Sequence, residues 1–276
     1  HPLRGQNNVQ GASDAGLIPM MLPDYQRVAT DALRQRFEKL WNVKLDPQPG
    51  LTVVEVMNAV LAGQLHGLYV MGENPAMSDP DVNHARQSLA ALKHLVVQDI
   101  FLTETALLAD VVLPASAFYE KNGTFTNTDR TVQLARQAVQ PPGQARQDLW
   151  IIQDLAQRIG LPWEQRSAEA VYEEMRQAMH SIEGITWQRL QREEAVTYPC
   201  HSENEPGEVV EFSQHFPTPS GKARFVPAEV KLADENAAPV EGSKTIAGTR
   251  SFESAIPFFK DLKPWDPNYT GPRRAE

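Results

Sequence analysis

The feature that most constrains this chain is a rhythm of short apolar runs between Leu68 and Pro114, each closed by polar or turn-forming residues. "LHGLYVMGENP" carries an apolar run from Leu68 to Met71, stopped by Gly72 and Pro75. The continuous run and its length predict a buried strand followed by a turn. "SDPDVNHARQSLAALKHL" then reads as a helix, with Pro80 in its first turn and Val82, Ala85, Leu89, Leu92 and Leu95 along one side. "LVVQDIF" is the next strand, "LTETALLA" a short helix capped by Thr103, and "DVVLPASAF" a third strand ending at Pro114. Strand, helix, strand, short helix, strand predicts a parallel sheet flanked by helices. In such sheets ligands sit beyond the carboxyl ends of the strands. Those ends carry Gly72-Glu73-Asn74-Pro75, Gln98-Asp99 and Pro114-Ala115-Ser116.

The flanks are read by the same periodicities. A helix is expected over about 24–42, with Leu33, Phe37, Leu40 and Trp41 on one face. A second starts at Thr52, which with Glu55 has capping-box spacing. Its apolar stripe is Val53, Val56, Met57, Val60 and Leu61, and Gly63 is its stop. "EKNGTFTNTDRTVQ" reads as a loop rich in hydroxyls and amides. A proline-rich link then leads into a helix whose Trp150, Ile151, Leu155 and Ile159 can face the sheet. Ser167 caps another helix, loops and short strands follow from about 187, and the polar stretch from about 232 reads as an irregular C-terminal tail.

One stretch cannot fill a core. "RGQNNVQG", residues 4–11, holds one arginine, two glycines and four amides, with Val9 its one long apolar side chain. It suits either a polar surface loop or a loop facing a polar ligand. Other candidates are weaker. Cys200, His201 and His215 lack a paired ligand motif. Asp99 and Glu104 stand near one strand end and either serve the local backbone or accept from a purine or pterin edge. Asp148, at a helix start, is most simply a cap. Arg130 suits a phosphate or its neighbour Asp129. No dinucleotide fingerprint, Walker A pattern or nucleophile elbow follows a strand.

Composition narrows the field. In 276 residues, 41% hydrophobic and 22% charged, the ordinary balance predicts a globular protein, and a net charge of −9 argues against a broad nucleic-acid surface. The single cysteine rules out an intrachain disulfide and fits a reducing compartment. With no membrane span or signal pattern in the sequence, the expected location is cytoplasmic.

Taken together, "RGQNNVQGASDAGLIP", "LYVMGENPAMSDPDVNH", "LVVQDIFLTETALLADVVLPASAFYEKNGTFTNTDRTVQ" and "PPGQARQDLWII" resemble the catalytic alpha subunit of molybdenum- or tungsten-dependent formate dehydrogenases, most closely the NAD-linked ones. The resemblance runs over roughly residues 2–230. It implies formate oxidation to CO2 at a bis-molybdopterin guanine dinucleotide centre with Mo or W. Electrons would pass through 4Fe-4S and other iron–sulfur clusters held elsewhere to NAD on a flavin-bearing, diaphorase-type partner subunit. It places Arg4 against the formate carboxylate, which a guanidinium fork suits, and Gln6 beside it. It places Asn74, Ser78, Gln98, Asp99 and Asp148 against the cofactor, with Gly72, Glu73, Thr103, Pro114 and Ala115 on the same crest.

The resemblance also has gaps. The family's metal ligand, a cysteine or selenocysteine followed by histidine, and its iron–sulfur cysteine cluster have no counterpart in this sequence, and Cys200 matches neither. The chain therefore reads as an internal portion or a truncated homologue. Its expected division is a Rossmann-like cofactor-binding domain over 1–165, a peripheral helical and loop extension over 166–231, and the tail over 232–276. The alternative is a non-catalytic cofactor-binding or assembly domain.

Overall fold

The computed structural model describes residues 5–216 and 218–224. Arg4 and the expected tail over 232–276 lie outside the described residues. The first compact unit runs to Glu211; a second begins at Phe212. The described part of the second is a turn in which Phe216 N–H donates to Gly221 O at 3.1 Å and Phe212 stacks on Phe216 at 5.5 Å.

The parallel sheet is present. Strands β3 (Gly67–Met71), β4 (His94–Asp99) and β5 (Val111–Pro114) lie in the order β3-β4-β5. Gly67 pairs with His94 and Val96 with Val111, all parallel. One face packs on α3 (Val53–Leu61) and α5 (Val82–Ala91) through Val60, Val70, Leu89, Leu92, Leu95 and Val97. Each large aliphatic side chain buried there contributes about 1.5–3 kcal/mol. The capping box forms: Thr52 N–H donates to Glu55 Oε2 at 2.7 Å. Asp81 caps α5 by accepting from His84 N–H at 3.2 Å.

A second core joins distant parts of the chain. Phe37 from α2 (Asp31–Trp41) meets Tyr172 of α7 (Ala168–Ala178), Leu190 of α8 (Trp187–Glu193) and Val196 of β8 (Ala195–Thr197). Val132 of β7 (Thr131–Ala135) belongs to the same cluster. Here β6 (Gly123–Thr126), β7 and β8 form an antiparallel sheet in that order. Ser167 caps α7, accepting from Ala170 N–H at 3.2 Å. Ser167→Ala should cost about 1 kcal/mol, and thermal unfolding checks it; an unchanged midpoint would show that the cap adds nothing.

Five expectations are corrected. The helix over 24–42 starts only at Asp31, because Asp24 and Tyr25 take positive φ (63° and 56°) in a turn between the two short strands β1 (Met21–Leu22) and β2 (Gln26–Arg27). Asp24 is held there by Ser181, which donates its N–H and Oγ at 3.1 and 2.5 Å. In α3, Val53 and Leu61 of the expected stripe are exposed, and Ala59 is buried beside Met57 and Val60. In α6 (Asp148–Arg158), Trp150, Leu155 and Ile159 are exposed; Ile151, Gln153 and Ala156 form the buried side. "EKNGTFTNTDRTVQ" is the β6–β7 hairpin rather than a loop, and the aperiodic stretch from 187 begins with α8. No described helix is long and apolar enough to cross a membrane.

Candidate functional site

The carboxyl ends of β3, β4 and β5 form a crest braced from below. Gln98 is fully buried at the end of β4. Its carbonyl oxygen accepts from the Tyr69 hydroxyl, and its Nε2 donates to Asp148 Oδ1 at 2.7 Å. Lys121 Nζ donates to the other Asp148 oxygen and to Ser116 O at 3.1 Å. Burial raises the Tyr69 hydroxyl pKa above its ordinary value, and the Asp148 charge adds to the effect, so Tyr69 acts as the donor. Asp148 is therefore no simple cap. It is the first residue of α6, and its carboxylate ties that helix to β4 and to the segment before β6.

A second brace joins the loops after β3 and β4. Asn74 Nδ2 donates to Glu104 Oε2 at 2.6 Å, and Asn74 Oδ1 accepts from the Thr105 N–H and hydroxyl at 3.1 and 2.8 Å. Ser78 Oγ donates back to Asn74 O at 3.0 Å, the first turn of the short helix α4 (Pro75–Ser78). Thr103 Oγ1 accepts from Ala106 N–H at 3.2 Å. Gly72 has φ 65°, a conformation natural to glycine, and donates its N–H to Gln98 O at 2.9 Å. Glu73 is exposed in the same loop. Asp99 Oδ1 accepts from Phe101 N–H at 3.1 Å, and Asp99 pairs with Pro114. Ala115 is buried and bridges to Arg146. The Ser116 hydroxyl beside it is buried without a hydrogen-bond partner among the described residues.

The crest thus collects Gly72, Glu73, Asn74, Ser78, Gln98, Asp99, Thr103, Pro114, Ala115 and Asp148 from separate elements. Gln6 falls in a different group. It lines an open cleft of about 360 Å³ together with Asn7, Asn8 and Gln10 on one wall and Thr126–Asp129, the β6–β7 turn, on the other. The cleft lining is almost wholly amide and hydroxyl, so it can direct many hydrogen bonds at a polar ligand while carrying little charge. The walls are joined directly: Thr126 N–H donates to Asn8 Oδ1 at 3.0 Å, and Asn8 takes φ 61° to make that bond. Gly11 lies against Asn8, where a Cβ would come within 2.2 Å of Asn8 Oδ1.

Lys121, Tyr69 and the turn residues Thr126–Asp129 were not singled out by sequence reasoning. The run of threonines and asparagines around Gly123 was the available signal for the turn. Arg130 turns to partners other than its neighbour Asp129. Its guanidinium donates to Tyr198 O and lies 3.5 Å from the Glu211 carboxylate. Among the described residues no three His, Cys, Asp or Glu side chains converge as a metal site. Cys200 is buried beside Arg189, and the His201 ring lies 3.0 Å from His180 O.

Against this geometry, the F420-dependent formate dehydrogenase subunit alpha of Methanocaldococcus jannaschii is 45% identical over 237 residues, covering 85% of this chain and 35% of that protein. The F420-dependent formate dehydrogenase 2 subunit alpha of Methanococcus maripaludis is 42% identical over 240 residues, with the same two coverages. The chain therefore spans about a third of the length of these curated relatives. Among solved structures, acetylene hydratase from Pelobacter acetylenicus superposes with a TM-score of 0.45 at 24% identity, over 62% of this chain and 24% of that one. The family model for molybdopterin oxidoreductases matches residues 4–158. That span is more than half of the chain and contains both the crest and the cleft, so the chain belongs to the molybdopterin oxidoreductase family.

Proposed function

We propose that this chain is the part of a formate dehydrogenase catalytic subunit that forms one wall of its cofactor and substrate cleft. The whole enzyme would oxidise formate to CO2, releasing a proton and two electrons. The observation that carries this reading is the amide-rich loop facing the Thr126–Asp129 turn, in a chain whose relatives are named formate dehydrogenase alpha subunits.

Family membership implies a molybdopterin cofactor. The residues present suit its organic part. The cleft offers paired donors and acceptors of the kind that fused heterocyclic edges need. The unpartnered Ser116 hydroxyl shows that intrachain bonds do not use all the polar capacity of the crest. When bound, as the bis guanine dinucleotide form with Mo or W, the cofactor supplies the two-electron redox chemistry. Its metal ligand and the iron–sulfur cysteines would come from the remaining domains of the subunit.

This chain's own part is orientation. Arg4 would clamp the formate carboxylate through its guanidinium fork, with Gln6 donating beside it. Gly72, Glu73, Ser78, Asp99, Thr103, Pro114 and Ala115 would meet the dinucleotide along the crest. Asn74, Gln98 and Asp148 would act there chiefly by holding its shape, since their side chains already bond one another's loops. The electrons would leave through iron–sulfur clusters to NAD on a flavin-bearing partner in the cytoplasm. The F420 dependence in the names of the two relatives favours a second reading, F420 as the acceptor.

The test uses protein purified from its source. The mass of the polypeptide bearing this sequence, its Mo and W content and its released GMP are measured on one sample. Formate-dependent reduction of NAD+ and of F420 is assayed alongside. A chain far longer than 276 residues, with metal and GMP in the ratio a bis cofactor requires and with formate turnover, is expected. A chain of this size without metal or turnover would refute the enzyme reading and leave an assembly or cofactor-binding module.

A further inference from the structure

The cleft walls lie more than a hundred residues apart in sequence, and a third, more distant segment is bonded beside both. Asp14 closes the short helix α1 (Val9–Asp14) behind the amide-rich loop and is buried at 3% exposure. One of its oxygens accepts from Gln10 Nε2 at 2.7 Å. The other accepts from the hydroxyl of Tyr198, 184 residues away, at 2.7 Å. Gln10 Nε2 also reaches the Tyr198 hydroxyl at 3.1 Å and that of Tyr25 at 3.2 Å. On its other side Tyr198 is bonded to the residue that follows the turn wall. Its N–H donates to Arg130 O at 3.1 Å, its carbonyl accepts from the Arg130 guanidinium, and that guanidinium lies 5.9 Å over its ring. Arg130 directly follows the Thr126–Asp129 turn.

We propose that Tyr198 is a positioning residue that sets the spacing and register of the two cleft walls, through its hydroxyl to Asp14 and its backbone to Arg130. The inference deepens the formate dehydrogenase reading, because the wall it fixes carries Gln6 and follows Arg4. Burial, reinforced by the Asp14 carboxylate, raises the hydroxyl pKa far above the ordinary tyrosine value. Tyr198 therefore stays protonated and remains the donor at any working pH. Removing the hydroxyl takes one hydrogen bond from the buried Asp14 carboxylate and unties α1 from Tyr198, so α1 can move toward water. Such a movement displaces Gln6 without touching the crest or the parallel sheet.

The experiment compares wild type, Tyr198→Phe and, as a gentler change, Asp14→Asn in the full-length holoenzyme. Hydrogen exchange is followed in peptides covering 5–16, 123–135 and the β3–β5 sheet, and formate kinetics are measured in parallel. In Tyr198→Phe, exchange over 9–16 should rise about tenfold, the loss of one net hydrogen bond, while β3–β5 stays unchanged. KM for formate should rise by a similar factor with kcat changed less. Asp14→Asn keeps an acceptor for Tyr198 and should show a smaller shift in both readouts. Unchanged exchange over 9–16, or a rise shared equally with β3–β5, overturns the proposal. A wild-type holoenzyme inert toward formate refutes the functional reading instead, and the exchange measurement still decides the role of Tyr198.

Discussion

Arg189→Leu lowers the unfolding free energy of the chain by about 2–3 kcal/mol, the upper range for leaving a buried acceptor without its charged donor. Arg189 is 5% exposed, and its guanidinium serves several parts of the second core at once. Nε donates to Glu193 at 3.0 Å, Nη1 to Gly184 O and Ser202 O at 3.3 Å each, and Nη2 to Glu205 O at 3.0 Å. Burial works against its charge, but the Glu193 hydrogen bond and the neighbouring Cys200 sulfur outweigh it, so the group holds its proton above the ordinary arginine range. Glu193 is partly exposed, so that ion pair by itself contributes little. The loss comes chiefly from the buried Gly184 carbonyl left without its arginine donor, with smaller losses at the less buried Ser202 and Glu205 carbonyls, which keep a weak Cys200 Sγ donor. Urea unfolding measures it. Arg189→Lys should recover less than half, because one ammonium cannot reach carbonyls spread over a planar fork. A Leu variant as stable as wild type would mean that the carbonyls find water or new partners at no cost.

That site also shows why one half of the fold was easier to read than the other. The parallel sheet is written locally: each strand is a continuous apolar run, and each helix between has its own periodicity and cap. The second core is assembled from residues far apart in sequence, Phe37, Val132, Tyr172, Leu190 and Val196, and no local pattern states that they meet. The hairpin was missed because β6 reads Gly-Thr-Phe-Thr and β7 opens on threonine. Threonine favours strands by its branched Cβ, yet its hydroxyl makes the same stretch resemble a polar loop. For α6, apolar residues stand on more than one side of the helix. Gln153 takes a buried position by donating to the Leu149 and Arg166 carbonyls and accepting from Arg166 N–H. A hydrophobicity count cannot anticipate a buried glutamine satisfied by backbone.

The candidate site was legible as a grouping of residues rather than as a set of contacts. The rule that ligands gather at the carboxyl ends of parallel strands picked out the Gly72, Gln98 and Pro114 turns. Residue type alone could not separate side chains facing a ligand from those bonded to one another. Asn74 and Asp148 have the chemistry of ligand residues, yet each is engaged by partners about thirty or more positions away, Glu104 and Thr105 for one, Lys121 and Gln98 for the other. Such pairings are set by topology. The opposite wall, Thr126–Asp129, became visible only once the hairpin placed its turn across from Asn8.

Arg4→Lys in the whole enzyme is expected to lower kcat/KM for formate by about two to three orders of magnitude, the usual loss when one preorganised donor to a reacting oxyanion is removed. A carboxylate bound by a guanidinium has both oxygens fixed in one plane, which sets where its C–H bond points. An ammonium supplies the same charge from a single point and leaves the carboxylate free to rotate about it. Binding is therefore hurt less than orientation, and kcat should fall more than KM rises. Metal and GMP content must stay at wild-type values, since the role proposed for Arg4 is toward the formate carboxylate and not toward the dinucleotide. Arg4→Ala should be slower still and should regain activity when free guanidinium is added, because the missing group is then supplied in trans. Unchanged formate turnover in Arg4→Lys would remove Arg4 from the carboxylate site, and the amide wall of Gln6, Asn7 and Asn8 would have to orient the substrate without it.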